Sequence, residues 1–318
     1  MLPEMATSDP SFPPRPDGGA GLPAALLDEI EGLAVELAHL AGAEIASTLE
    51  REIAVEYKDQ ARGRDGPANP VSEVDHAVEA LVRARIGERF PAHGIIGEEA
   101  ELHPDPSHEF VWVIDPVDGT TNFVNGFPLF AASVGVLHRG QPVAGAIWCS
   151  TSHELRSGVY HARVGGPLRF EGREVPLGRP SVGVRRRLTA GPGGSVRRGA
   201  QWETRVTGSA AIECAFVAAG IFASTVFWGL AIWDVAGGVV LVRSAGLEVW
   251  TRDRNGWKPF ERFEPPAKVR EPRGSTLRDW RQPLLIGTKE AAAAVREGAR
   301  GPGWRWRVRQ AYRLLTGR

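Results

Sequence analysis

Apolar residues at Leu26, Ile30, Leu33, Leu37, Leu40, Ala41 and Ile45 recur at the three-and-four spacing of one helix face, which predicts an amphipathic helix over residues 23–50. An extended piece, 53–57, follows. Residues 58–70 then leave almost nothing to bury among their Gly, Asp, Arg, Asn and Pro, so they are expected to form a mobile surface loop. Ser72 opens a second helix whose buried stripe is Val74, Val78, Leu81, Val82 and Ile86, and which stops near Phe90-Pro91. The apolar run 111–114, bounded by turn residues, reads as a buried strand, and strand-like runs at 131–137, 142–148 and 154–160 predict an antiparallel sheet in the middle of the chain. Beyond it, a helix over 209–219, a strand over 221–227, a helix over 234–244 and a strand over 247–250 give a βα alternation. Residues 253–279 carry no clear period. A strand at 283–286 and a helix at 288–297 complete the pattern, with no internal repeat.

Length and composition turn these elements into an architecture. A chain of 318 residues with 42% hydrophobic content can bury one large core or two modest ones. The expected fold class is α/β, an α+β layered αβαβα sandwich: an N-terminal lobe of helices on an antiparallel sheet, a smaller C-terminal βα lobe, and the site between them. The divisions are a disordered tail (1–21), the N-terminal lobe (22–178), a basic connector (179–206), the C-terminal lobe (207–300) and a basic Trp/Arg tail (301–318). Acidic and basic residues balance at 38 each, so bulk charge favours neither nucleic acid nor a membrane surface. Cys149 and Cys214 sit in apolar company, which suits a reducing, cytoplasmic setting. Residues 1–21 lack the basic start and apolar run of a signal peptide. The most apolar stretch, 210–230, is interrupted by Glu213, Gly220 and Gly229 and falls short of a membrane span. In the tail, Trp304, Val308, Ala311 and Leu315 would form one helical stripe with Arg305, Arg309 and Arg313 facing elsewhere. That pattern predicts a docked terminal helix, or else a weak anionic partner such as RNA or lipid.

The candidate chemistry lies in carboxylates placed where loops leave apolar segments: Glu98 and Glu99 after Ile95-Ile96-Gly97, Asp115 and Asp118 after the 111–114 strand, and Asp234 after Ile232-Trp233. Gathering such charges is costly unless cations neutralise them, and hard oxygen ligands suit magnesium or manganese. Asp115 and Asp118 flank Pro116 and Val117, a spacing that can aim both carboxylates at one point and leave the Val117 carbonyl as a further ligand. Gly119-Thr120-Thr121-Asn122 reads as the opening of a short helix, whose unpaired amides favour a phosphate. Metal ions beside an anion cradle suit hydrolysis of a phosphate ester by metal-activated water. No Ser/His/Asp or Cys nucleophile pattern competes. Each residue also has a structural alternative: Ser72-x-x-Asp75 matches a helix capping box, Asp115 a strand-end turn and Asp234 a helix N-cap. Glu99 reads as solvated or as a supporting residue; His103, His108 and His138 lie in polar loops without ligand spacing, and Trp112, Trp148 and Trp233 read as core.

Four segments match, in order and spacing, the signatures of one family: Asn69-Pro70-Val71-Ser72-Glu73-Val74-Asp75, Gly97-Glu98-Glu99, Trp112 through Val124, and Trp233-Asp234-Val235-Ala236-Gly237. On these the chain resembles the inositol monophosphatase family. The resemblance covers residues 26–247, with a weaker echo at 283–295. It implies a magnesium-dependent, lithium-sensitive, homodimeric phosphatase of small phosphorylated metabolites. It also implies that Glu98, Asp115 and the Val117 carbonyl hold a first Mg2+, that Asp115, Asp118 and Asp234 hold a second, and that a weaker third lies near Glu98. Asp75 and Thr120 would orient and deprotonate the attacking water, with Glu98 in the catalytic set. The Gly119 and Thr120 amides would hold the phosphate beside Asp118, and Gly208, Ser209 and Ala210 would touch the organic part of the substrate.

One position departs from the pattern. Relatives that prefer inositol phosphates place a Glu seven residues before the motif aspartate, where this chain has Phe227. A Phe cannot accept a hydroxyl hydrogen bond, so a polyol ring loses an anchor worth about 1 kcal/mol. Inositol monophosphate, a sugar phosphate such as fructose 1,6-bisphosphate, and histidinol phosphate all stay open as substrates. A second class of function, an RNA- or transcription-associated binding module on the same fold, rests on the basic connector and tail.

Overall fold

A computed structural model describes residues 21–49, 55–57, 70–100, 102, 105, 107–176, 187–191, 202–267 and 274–298, with backbone alone at 55–57 and 70–72. The expectations for the N-terminal tail, for the polar loop at 58–69, for His103, for most of the basic connector and for the Trp/Arg tail lie outside the described residues.

Helix α1 (Ala24–Thr48) starts directly after Pro23, whose fixed φ and missing N–H suit a helix entry. It buries Ile30, Leu33, Leu37, Ala41 and Ile45, the stripe anticipated by periodicity. Strands β1 (Val55–Tyr57) and β2 (Pro70–Ser72) pair antiparallel and lead into α2 (Glu73–Arg89). A seven-stranded sheet follows, in the spatial order β3 (Gly94–Gly97), β4 (Phe110–Asp118), β5 (Ala131–His138), β6 (Gln141–Cys149), β7 (Gly158–Arg163), β8 (Arg169–Phe170) and β9 (Arg173–Glu174). It is antiparallel except at its start, where β3 runs parallel to β4. The short helix α3 (Thr120–Val124) sits between β4 and β5.

Within the connecting stretch, β10 (Arg187–Ala190) and β11 (Trp202–Arg205) form a parallel pair. Then come α4 (Ala210–Ala218), β12 (Ser224–Phe227), α5 (Ile232–Ser244), β13 (Glu248–Asp253), β14 (Gly256–Pro259), a 3-10 turn (Leu277–Asp279), β15 (Leu284–Gly287) and α6 (Lys289–Gly298). These strands make a four-stranded antiparallel sheet in the order β12-β15-β13-β14. Helices α1 and α2 cover one face of the large sheet, α4 and α5 fill the space between the two sheets, and α6 packs outside on β15. The result is the αβαβα layering expected from the sequence.

The large sheet is buried on both faces, so its strands read as near-continuous apolar runs. On β4, Trp112 and Ile114 face the α1/α2 core while Val111 and Val113 face the α4/α5 core. Helix α5 lies so close to the sheet that only glycine fits. A Cβ at Gly135 would sit 2.6 Å from the Gly237 nitrogen, and one at Gly145 would collide with the Gly237 carbonyl. The glycine that ends the Trp233-to-Gly237 motif therefore serves packing against Gly135 and Gly145, and that packing fixes the height of Asp234 above the strands.

Two strands begin three or more residues later than expected. The strand anticipated at 154–160 begins at Gly158, because residues before it form a turn in which Ser152 Oγ donates to the Arg156 carbonyl at 2.6 Å and Leu155 is 90% exposed with φ of 57°. The one anticipated at 221–227 begins at Ser224, since Phe222 instead bridges to Leu188 of β10.

Candidate active site

The motif around Asp115 is a strand with a bulge. Asp115 pairs with Ser133 and Asp118 with Ala131, so three steps along β4 (118 − 115) match two along β5 (133 − 131), and β4 carries one extra residue. A bulge is where a sheet tolerates proline, because Pro116 has no N–H to give the ladder. In a regular strand residues three apart point to opposite faces. The extra residue turns Asp118 to the side of Asp115. Asp234 joins them from the first turn of α5, where its Oδ2 accepts from the Ala231 amide at 2.6 Å. Ligand oxygens of Asp115, Asp118 and Asp234 lie within 4.8 Å of one another.

Burial sets the electrostatics. Asp115, 1% exposed, has its carboxyl pushed well above the usual range, first by loss of water and then by the charges of Glu98, Asp118, Asp234 and Asp75. Asp118 is raised to about 7 by burial, against the pull of the Ser209 hydroxyl and the Ala211 and Ala210 amides. Asp234 is raised by burial and by Asp118 and Glu98, opposed by the Ala231 amide and Arg281. Asp115 Oδ1 is buried and accepts no hydrogen bond from the described residues. An orphaned carboxylate oxygen in an all-oxygen cluster fits a hard divalent cation, which both neutralises the charge and takes the free lone pairs. The Val117 carbonyl accepts from Thr120 Oγ1 at 2.8 Å and keeps a second lone pair for such an ion.

Around this cluster the structure gathers most of the residues singled out from sequence. Asp75 is buried on the first turn of α2, and Thr120 Oγ1 lies 3.3 Å from its Oδ1. Gly119 is left-handed at φ 85°, and a Cβ there would crowd the Leu129 carbonyl, Ser209 and the Gly208 carbonyl, so the turn into α3 requires glycine. Ser209 caps α4, accepting from the Ile212 amide while donating to Asp118 Oδ2. Exposed Gly208 and half-buried Ala210 flank it. Glu98 is half-buried at the end of β3, its amide donating to the Ile114 carbonyl at 3.2 Å.

Other candidates sit elsewhere. Phe227, 5% exposed, packs in the α4/α5 core. His138 pairs with Glu109 at 2.9 Å, and His108 contacts the Asp105 carbonyl, both near the start of β4, at the opposite end from Asp118. Trp112, Trp148 and Trp233 are core, and Trp233 also carries two guanidinium groups over its ring. Glu99 is half-buried, and its amide donates to Glu79 Oε2 at 2.7 Å.

Two supporting residues had no individual role in the sequence reading. Glu79, 3% exposed and paired with Arg83 at 2.7 Å, accepts from the Glu99 and Ala100 amides and so holds the loop that carries Glu98. Asn122 Nδ2 donates to the Leu129 carbonyl at 2.6 Å and the Thr207 carbonyl at 2.8 Å, tying α3 to the turn before α4. A buried acid within an apolar helix stripe was the available signal for Glu79. Asn122 offered none beyond its place in the motif.

Comparison with known proteins agrees with this arrangement. Residues 26–273 match the model of the inositol monophosphatase family. The chain is 34% identical over 256 residues to the inositol-1-monophosphatase SuhB of Mycobacterium tuberculosis, covering 74% of this chain and 86% of that protein. It is 32% identical over 246 residues to the chloroplastic phosphatase IMPL1 of Arabidopsis thaliana, covering 72% of this chain and 64% of that one. Among solved structures, the extragenic suppressor protein suhB of Bartonella henselae superposes with a TM-score of 0.67 at 22% identity, over 86% of this chain and 99% of that one, a likeness of fold. The chain belongs to the inositol monophosphatase family. The relatives that place it there are named as phosphatases, the class of phosphoric monoester hydrolases. Among the described residues no helix is long and apolar enough to cross a membrane.

Proposed function

We propose that this chain is a magnesium-dependent phosphomonoesterase acting on a small phosphorylated metabolite of the inositol monophosphate type. The observation that carries the reading is the convergence of Asp115, Asp118 and Asp234 around a buried Asp115 Oδ1 without a hydrogen-bond partner among the described residues. Glu98, Asp115 and the Val117 carbonyl would hold one ion, Asp115, Asp118 and Asp234 a second, and Glu98 a weaker third. When bound, such ions supply Lewis acidity and neutralise charge at the phosphate ester.

The chain's own groups do the positioning. The Gly119 and Thr120 amides hold phosphate oxygens at the start of α3. Thr120 Oγ1 orients a water, and Asp75, buried behind it, takes the proton. Gly208, Ser209 and Ala210 line the side where the organic group leaves. Because Ser209 Oγ donates to Asp118, that subsite offers substrate backbone groups more than a hydroxyl. Phe227 lies in the core, so the polyol anchor of inositol-specific relatives is missing, and fructose 1,6-bisphosphate and histidinol phosphate belong in the same screen. The reading includes a cytoplasmic, lithium-sensitive homodimer, checked by activity in lithium and by light scattering.

The test is phosphate release from inositol, sugar, nucleotide and histidinol phosphates with magnesium. Turnover of at least one ester is expected, lost on chelation and in Asp115→Asn. A folded wild-type protein inert on the whole panel would sink the proposal.

A further inference from the structure

We propose that Arg278 is a positioning residue for the metal site, a single guanidinium that ties the loop carrying Glu98 to the start of the helix carrying Asp234. The inference rests on the reading of Glu98 and Asp234 as metal ligands. Arg278 lies in the 3-10 turn, past residue 273, where the match to the family model ends. Its Nη1 donates to the Gly97 carbonyl and its Nη2 to the Glu98 carbonyl at 3.0 Å. Its Cζ also stands 4.8 Å from the centroid of the Trp233 ring, immediately before Asp234. Two ligand-bearing segments, one leaving the large sheet and one opening helix α5, thus share one side chain.

The base of this clamp is well anchored. Asp279 Oδ2 accepts from the Thr276 amide at 2.8 Å, which caps the turn. Trp280, 1% exposed, packs edge-on to Phe263 at 4.9 Å. Arg281 Nη1 donates back to the Arg278 and Trp280 carbonyls at 2.9 and 2.6 Å, and its guanidinium lies 5.0 Å from the same Trp233 ring. The loop being clamped needs such support. Among the described residues β3 is the edge of its sheet, so Gly97 and the Glu98 that follows it face no further described strand on their open side. Glu79 grips the next two amides, and Arg278 takes the two carbonyls before them. The planar fork of arginine suits two adjacent acceptors, whereas a lysine ammonium on its flexible stem reaches one at a time.

Charge and geometry act here in opposite directions. A fixed positive charge repels a nearby dication, so a purely electrostatic Arg278 would make metal binding tighter when removed. A clamp makes it weaker. The experiment is calorimetric titration of the full-length protein with magnesium in the absence of substrate, for wild type, Arg278→Ala, Arg278→Lys and Asp115→Asn, with thermal unfolding in chelator alongside. Arg278→Ala is expected to bind magnesium about 10- to 100-fold more weakly, the usual loss when a ligand's supporting contact is removed. Arg278→Lys should fall between it and wild type. Wild-type or tighter affinity in Arg278→Ala overturns the proposal, as does full recovery in Arg278→Lys. Should the alanine variant fail to fold, the lysine variant decides, since unchanged affinity there removes the two-carbonyl clamp. Asp115→Asn separates the two readings: binding lost there but intact in Arg278→Ala overturns the clamp alone, while wild-type binding in Asp115→Asn overturns the metal site and the clamp together.

Discussion

Asp118 is gripped by the Ser209 hydroxyl and the Ala210 and Ala211 amides, yet burial still lifts it to about 7. In the unfolded chain a carboxyl titrates near 4, so the folded, metal-free protein binds this proton more tightly. Its contribution to stability is complete below about pH 4 and is lost as pH rises through about 7. The melting temperature in chelator is therefore expected to fall across that window and to be restored by magnesium at neutral pH, which scanning calorimetry at several pH values would check. Asp115→Asn removes a buried, repelled charge, so without metal that variant should melt no lower than wild type even though it turns over no substrate. Asn122→Ala strands the Leu129 and Thr207 carbonyls and should cost about 1–3 kcal/mol by urea unfolding.

At the scale of elements, the seat of α5 decides where Asp234 stands. Gly145→Ala drives a methyl into the Gly237 carbonyl and should cost roughly 1–3 kcal/mol. It should also weaken magnesium binding without touching a ligand, a paired loss that titration and denaturation would reveal. Elements whose order comes from local pattern were legible in the sequence: α1 from its apolar stripe, β4 to β6 from runs long enough to be strands, the converging aspartates Asp115, Asp118 and Asp234 from their shared position beside apolar segments. Others were not. β3 has four residues with a glycine at each end, too short to show a period. β14 and the 3-10 turn lie in 253–279, where order comes from Phe260, Phe263 and Trp280 packing together and from Arg278 reaching a carbonyl 181 residues away. Side chains that act over such distances leave no periodic trace. The bulge at Pro116 was half visible, since proline marked an irregularity but not that the strand continues through it.

For the whole molecule, one sheet serves two cores. Trp112 and Val113 are neighbours in sequence and belong to opposite hydrophobic layers, so neither core can melt while the other keeps its wall. Urea unfolding followed by tryptophan fluorescence and by far-ultraviolet circular dichroism should give coincident single transitions, and separated midpoints would contradict that shared wall. The bulge in β4 has a further consequence, because it makes the site a matter of residue count as well as residue type. Removing Pro116 alone would keep every carboxylate and leave Asp115 and Asp118 still on one face, two residues apart on an ordinary strand, side by side and parallel. The bend that makes them converge, and the displaced backbone that offers the Val117 carbonyl, would both be gone. A relative shortened by one residue here could retain every acidic ligand and still lack the shape that brings them together.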